Sequence, residues 1–304
     1  AIDGALSWLV REDRVREGLI AAAHRSGIAM IRERLTWGAV NPERDRWSWD
    51  TPRGFESIRE TYQHHHVPIL EMAHDAPPWL GQVVKYPDDL AGAAESWRQV
   101  ARHWHAAWGA VEAWNEPDIA FGGDLPGDQY AAVAKAVAHG VDQAQAGVPV
   151  VGGVMANFQP RFLDACARSG LLDRVDAFSF HTYGPALEME SLVGRYRGWL
   201  RASDHGAMPL WLTECGRPWK RGPERPPADQ DALSALDITM KAVEARACGL
   251  ARYFAFVYPY YDENNNNFGM MDRRATPLRS FAAYAQMIRV LGRRSYLGDL
   301  RHDV

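Results

Sequence analysis

Short apolar, β-prone runs recur along the chain. They begin near Ile2, Ile28, Val67, Val111, Val148, Val175, Met208 and Ala251, and a helix-compatible stretch separates each from the next. Their spacing averages about 36 residues, which suits a strand, a loop and a helix packed back onto a parallel sheet. The helical stretches carry stop signals. Glu12 to Ser26 ends at Gly27 and Asp229 to Cys248 ends at Gly249, each glycine standing where a left-handed residue closes a helix. Val148-Pro149-Val150-Val151 and the run from Ala251 to Val257 are almost continuously apolar, the pattern of parallel strands buried on both faces. Eight such units predict an α/β fold, a single (β/α)8 TIM barrel. No internal repeat beyond the β/α rhythm and no linker-like stretch interrupts residues 1–304, so one domain is expected.

Composition agrees. With 47% hydrophobic and 24% charged residues, the 304-residue chain can bury one large core unaided by disulfides or metals. Its three cysteines, Cys166, Cys215 and Cys248, lack CxxC spacing and indicate neither a disulfide framework nor a zinc ribbon. The net charge of -4 leaves no basic surplus for nucleic acid, whose phosphates demand many Lys and Arg contacts. No run approaches the roughly 20 apolar residues of a membrane span, so no membrane partner is expected. The start Ala1-Ile2-Asp3 has neither an initiating Met nor signal-peptide architecture; the expectation is a mature secreted or periplasmic form, and a trimmed chain fits equally. Oligomeric state has no signature in the sequence.

In a β/α barrel, functional groups gather at the C-terminal ends of the strands. There the second run offers Arg32 and Arg34, the third His74 and Asp75, the fourth Asn115 and Glu116, the sixth His181 and Tyr183, the seventh Glu214 and the eighth Tyr258. Glu116 and Glu214 occupy equivalent strand-end positions. Cleaving a glycosidic bond takes one protonated carboxyl group and one carboxylate, and two such groups held close push their pKa values apart. Carboxyl groups about 5 to 5.5 Å apart imply retention through a covalent glycosyl-enzyme, whereas about 6.5 to 9.5 Å implies inversion.

Trp114-Asn115-Glu116-Pro117, His181-Thr182-Tyr183 and Thr213-Glu214, at the ends of the fourth, sixth and seventh runs, resemble clan A of the retaining glycoside hydrolases. Ile31-Arg32 with Trp37, Asn41-Pro42 and Trp47-Ser48-Trp49-Asp50 are similar to its family 39 type barrels, as is Phe268-Gly269-Met270-Met271 leading to Thr276-Pro277 and Tyr284. The resemblance covers nearly the whole chain. It implies a cofactor-free hydrolase of an oligo- or polysaccharide, with Glu116 as acid/base and Glu214 as nucleophile. Asn115 would bond the sugar 2-hydroxyl, Tyr183 would donate to Glu214, and Arg32 would lower the pKa of Glu214, with Arg34 as its rival. The clan's strand-eight Trp is missing from Phe254-Ala255-Phe256-Val257-Tyr258, and Tyr258 or Phe256 is its replacement. Sugar identity, linkage and endo or exo action stay open, as do a non-catalytic glycan-binding barrel and a transglycosylase.

Simpler readings compete at several positions. His64-His65-His66 precedes the third run, at the end of a barrel that serves stability, and His103 and His105 sit two apart on a helix, facing different ways. No metal site is expected. Trp97, Trp104, Trp108 and Trp199, on helical stretches, read as core. Trp37, Trp79, Trp114 and Trp219 fall at or after strand ends, where an aromatic face can stack on a sugar; for Trp37 and Trp114 packing is an equal alternative. His74 serves either the sugar or a structural hydrogen bond. Arg217, Lys220, Arg221 and Arg225 form a basic loop near the mouth and raise the idea of an acidic sugar.

Overall fold

The computed structural model describes residues 1–82, 84–220 and 225–298. Eight parallel strands close a barrel in the order β1 (Ile2–Asp3), β2 (Ile31–Thr36), β3 (Ile69–His74), β4 (Trp108–Ala113), β5 (Val150–Met155), β6 (Ala177–His181), β7 (Leu210–Cys215) and β9 (Arg252–Ala255), which pairs back onto β1. Every predicted run contributes a strand. The fourth begins three residues earlier than expected, so Trp108 opens β4 instead of closing a helix. Helices Asp13–Arg25 and Ala228–Ala247 follow the expected stretches, and Gly27 (φ 77°) and Gly249 (φ 69°) take the left-handed conformation that ends them.

The barrel interior is layered by the two-residue period of its strands. The lower layer is apolar and fully packed: Met30, Leu70, Ala110, Val151, Ala177, Trp211 and Phe254. Two residues further along their strands, Arg32, Glu112 and Ser179 form a polar layer where branched apolar side chains are usual in such barrels. Outward-facing acids are also buried. Glu33 accepts from Tyr62 Oη at 2.6 Å, and Glu71 takes both arms of Arg59 at 2.7 and 2.6 Å, which binds helix Phe55–His64 to the barrel wall.

Register shifts occur late in β5, β6 and β7, near the strand ends that carry the functional groups. Such irregularities turn side chains away from strict alternation, and here they bring His181 level with Glu214. Above the mouth, β8 (Trp219–Lys220), β10 (Asp262–Glu263) and β11 (Asn266–Asn267) form a small antiparallel sheet. The described start of the basic loop, residues 217–220, therefore meets the loop that carries Asn264 to Asn267 over one side of the barrel.

Candidate active site

The chain leaves β4 through an unusual turn. Trp114 (φ 81°) and Glu116 (φ 45°) both adopt the left-handed conformation, which costs non-glycine residues roughly 1–3 kcal/mol each and persists only where surroundings enforce it. Those surroundings are present. The Trp114 N–H donates to Ala73 O (2.9 Å), its indole N–H to Phe121 O (3.0 Å), and the Glu116 N–H to Val154 O (3.0 Å). Asp118 accepts from the N–H groups of Ala156 and Asn157, at 2.8 Å each, and holds the loop against the end of β5. The turn aims Glu116 over the barrel axis.

Beneath it, Arg32 is the hub. Its Nη1 donates to Glu214 Oε1 (2.5 Å) and Asp3 Oδ2 (2.8 Å), its Nε to Glu112 Oε2 (2.5 Å), and its Nη2 to Asn115 Oδ1 (2.8 Å). The other oxygen of Glu214 accepts from Tyr183 Oη at 2.8 Å. His181 lies between the two glutamates, with Nδ1 2.9 Å from Glu116 Oε1 and 3.6 Å from Glu214 Oε2. One ligand atom from each of Glu116, His181 and Glu214 falls within 4.8 Å of the others.

Burial alone would raise the pKa of Glu214, but His181, Arg32 and the Tyr183 hydroxyl outweigh it and pull the group down to about 2. Burial likewise works against a protonated His181, yet Glu214 and Glu116 lift its pKa above the ordinary imidazole value. Arg32 is held charged by Glu112, Glu214 and Asp3 against its own desolvation. Asp3 bears the opposite consequence. Burial, with help from Glu214, pushes it up to about 7 although Arg32 opposes the shift.

Glu116, His181 and Glu214 are also the one group among the described residues that could surround a metal ion. Both Glu214 oxygens already accept hydrogen bonds, one of them from a fixed guanidinium, so an added dication would meet an established positive charge.

A cavity of about 520 Å³ opens above these groups. Its walls include Arg32, Asn115, Glu116, Tyr183 and Glu214, together with the aromatic rings of Trp8, Phe121, Phe256, Tyr261 and Phe268. Arg34 lines it as well, one layer above Arg32, with its guanidinium 4.6 Å from the Trp8 ring, so both arginines face the cavity at different depths. A larger cleft of about 970 Å³ lies on the outer surface between helices Leu90–Trp104 and Gly127–Gln143, away from the paired carboxylates.

Four residues expected at the sugar stand elsewhere. Trp37 is fully buried, donates to Ser96 Oγ (2.6 Å) and packs edge-on against Trp97, because it opens the short helix Trp37–Val40 and turns into the wall. Tyr258 is also fully buried; its hydroxyl reaches Leu19 O at 2.9 Å, so Phe256, the residue after β9, is the aromatic from this strand end that reaches the cavity. Trp219 is buried within the β8 connection and lines no part of the cavity. His74 sits behind the wall, against the rings of Trp114 and Phe121.

Trp79 and Trp114 also lie outside the lining, each donating its indole N–H to a backbone carbonyl. Trp97, Trp104, Trp108 and Trp199 are core, as expected. In the basic loop Arg217 faces Asp237 and Arg225 binds Asp272, while Arg221 lies outside the described residues. Asp3, Trp8 and Glu112 also belong to the site, although no motif points to them. Asp3 ends the first run as Glu214 ends the seventh, and Glu112 interrupts the apolar Val111-Glu112-Ala113, so both carried a visible sign.

Fold and site define a (β/α)8 barrel with two glutamates paired across its C-terminal rim. No family model and no curated protein matches the chain by sequence. Solved structures do match it in fold. A family 39 glycoside hydrolase from the gut symbiont Bacteroides cellulosilyticus superposes with a TM-score of 0.77 at 18% identity, over 97% of this chain and 64% of that one. A family 39 β-xylosidase from Caulobacter crescentus gives 0.71 at 18% identity, over 95% and 70%. An exo-β-1,4-mannosidase from an Opitutaceae bacterium gives 0.67 at 11%, over 95% and 59%. The chain thus spans just under two thirds of the first relative's length, and the likeness is one of fold.

Proposed function

We propose that the chain is a retaining O-glycoside hydrolase acting on an oligo- or polysaccharide, with the barrel working as one domain. The observation that carries this reading is the pairing of Glu116 and Glu214, whose carboxylate oxygens approach within 4.8 Å. That close approach of the nearest oxygens accords with the shorter carboxyl separation of retaining enzymes, about 5 to 5.5 Å, rather than the about 6.5 to 9.5 Å of inverting ones. Similar folds among glycoside hydrolases support the same class.

The roles follow from the environments. Glu214 is the nucleophile, because His181, Arg32 and Tyr183 keep it ionised and fix both its oxygens. Its carboxylate attacks the anomeric carbon while Glu116 gives its proton to the leaving oxygen; in the second step Glu116 takes a proton from water, which displaces Glu214. Asn115 is anchored through its oxygen to Arg32, so its amide N–H groups are free to meet the sugar 2-hydroxyl. The aromatic walls supply faces for the ring of the sugar.

Chromogenic glycosides assayed with Glu116→Ala and Glu214→Ala test the assignment. Each variant should fold and lose at least about 100-fold in turnover, the low end for a positioned acid or base. Azide should rescue Glu214→Ala with inverted product. Near-normal turnover in either variant overturns the assignment, and a folded wild type that binds but cleaves no glycoside indicates a glycan-binding barrel. Transfer to an added sugar in preference to water indicates a transglycosylase.

A further inference from the structure

Glu112 takes no part in the reaction just described, yet it is placed to govern it. It stands on β4, four residues before Glu116, and is fully buried. Both of its oxygens are committed: Oε2 to Arg32 Nε at 2.5 Å and Oε1 to Ser179 Oγ at 2.8 Å. Ser179 lies two residues before His181 on β6, and its hydroxyl oxygen accepts the Val154 N–H at 3.1 Å. A guanidinium is a rigid planar fork, so the direction of Nε sets the directions of both terminal nitrogens. Those nitrogens hold Glu214 and Asn115.

We infer that Glu112 is a positioning residue that acts through Arg32: its carboxylate fixes the guanidinium plane so that one arm seats Glu214 and the other seats Asn115. Through Ser179 it also ties β4 to β6 one layer below His181, so the two glutamates and the imidazole share one buried frame. The inference rests on the reading of Glu214 as nucleophile. If Glu112 loses its charge, Arg32 keeps Asp3 and Glu214 as its acidic partners and is drawn toward them, away from Asn115. The other groups that face Glu214, namely Asp3 on β1, Arg34 on β2, Glu116 after β4 and His181 with Tyr183 at the end of β6, are unchanged by this substitution.

Glu112→Gln keeps the shape and an acceptor for Ser179 while removing the charge. Below its melting temperature, kcat should fall about 10- to 100-fold, as for other residues that orient a reacting group at one remove, with KM within about twofold. Glu112→Asp, which restores the charge, should recover part of the loss. A crystal structure of Glu112→Gln should show the Arg32 guanidinium rotated, with its contact to Asn115 lengthened. If Glu112→Gln fails to fold, Ser179→Ala carries the test with a smaller fall in kcat of the same kind. A lowered melting temperature with unchanged kcat and an unmoved Arg32 overturns the inference. The crystal structure needs no turnover, so it decides Glu112's hold on Arg32 even if the wild type cleaves no glycoside, an outcome that removes only the hydrolase reading.

Discussion

His181 shows how one side chain sets the working state of another. Its Nδ1 faces Glu116 and, at longer range, Glu214, and its positive charge is the largest of the influences that lower the Glu214 pKa. Replacing it by a neutral group removes that attraction while the desolvation of Glu214 persists, so the pKa of Glu214 must rise. In His181→Gln the acidic limb of kcat/KM should therefore move to higher pH, by about one to three units on the scale expected for loss of a neighbouring opposite charge. A pH–rate profile of both proteins on one chromogenic substrate measures this. An unmoved limb would mean that Arg32 and Tyr183 suffice to keep Glu214 ionised and that His181 serves only to aim Glu116.

At the scale of elements, the end of β7 depends on the close approach of β9. A Cβ on Gly216 would stand 2.3 Å from Phe256 O, and Phe256 is part of the cavity wall. Gly216→Ala should displace that wall, costing about 1–3 kcal/mol of stability as overpacking does, and should raise KM more than it lowers kcat. Denaturant unfolding and steady-state kinetics read the two effects separately. The strands and helix ends were legible in the sequence because burial on both faces forces apolar runs and because Gly27 and Gly249 are needed where φ is positive. Glu116, Glu214, Asn115 and Tyr183 are legible because each stands at or beside a strand end, and Arg32, inside β2, is legible from its spacing to Trp37. Trp37 and Tyr258 follow strand ends too yet turn into the wall, since past the strand end alternation no longer tells which way a side chain turns. Glu112 shows in the sequence only as a polar break in an apolar strand; its role depends on Arg32 and Ser179, which lie 80 and 67 residues away in sequence.

For the molecule as a whole, the buried charges that build the site set its stability against pH, and they act in opposite directions. Glu214, depressed from 4.5 to about 2, contributes stability that is present above pH 4.5 and is lost as pH falls toward 2. Asp3, raised from 3.8 to about 7, contributes stability that is present below pH 3.8 and is lost as pH rises through 7. His181, raised above 6.5, acts in the same sense as Asp3, its share being lost once pH passes its folded value. The fold should therefore be most stable in mildly acidic solution, near the crossover between the first two groups, and should weaken toward pH 8. Asp3→Asn isolates the cause. Its amide oxygen can still accept from Arg32 Nη1, and Arg32 keeps Glu112 and Glu214 as charged partners, so the pairing survives while the titration disappears. Between pH 4.5 and 8 the melting temperature of the variant should fall less than that of the wild type, by a few degrees for a chain of this size, and at pH 8 the variant should melt higher. Scanning calorimetry at the two pH values decides it: parallel decline in both proteins would assign the loss to His181 and the surface, and would leave Asp3 ionised in the folded barrel.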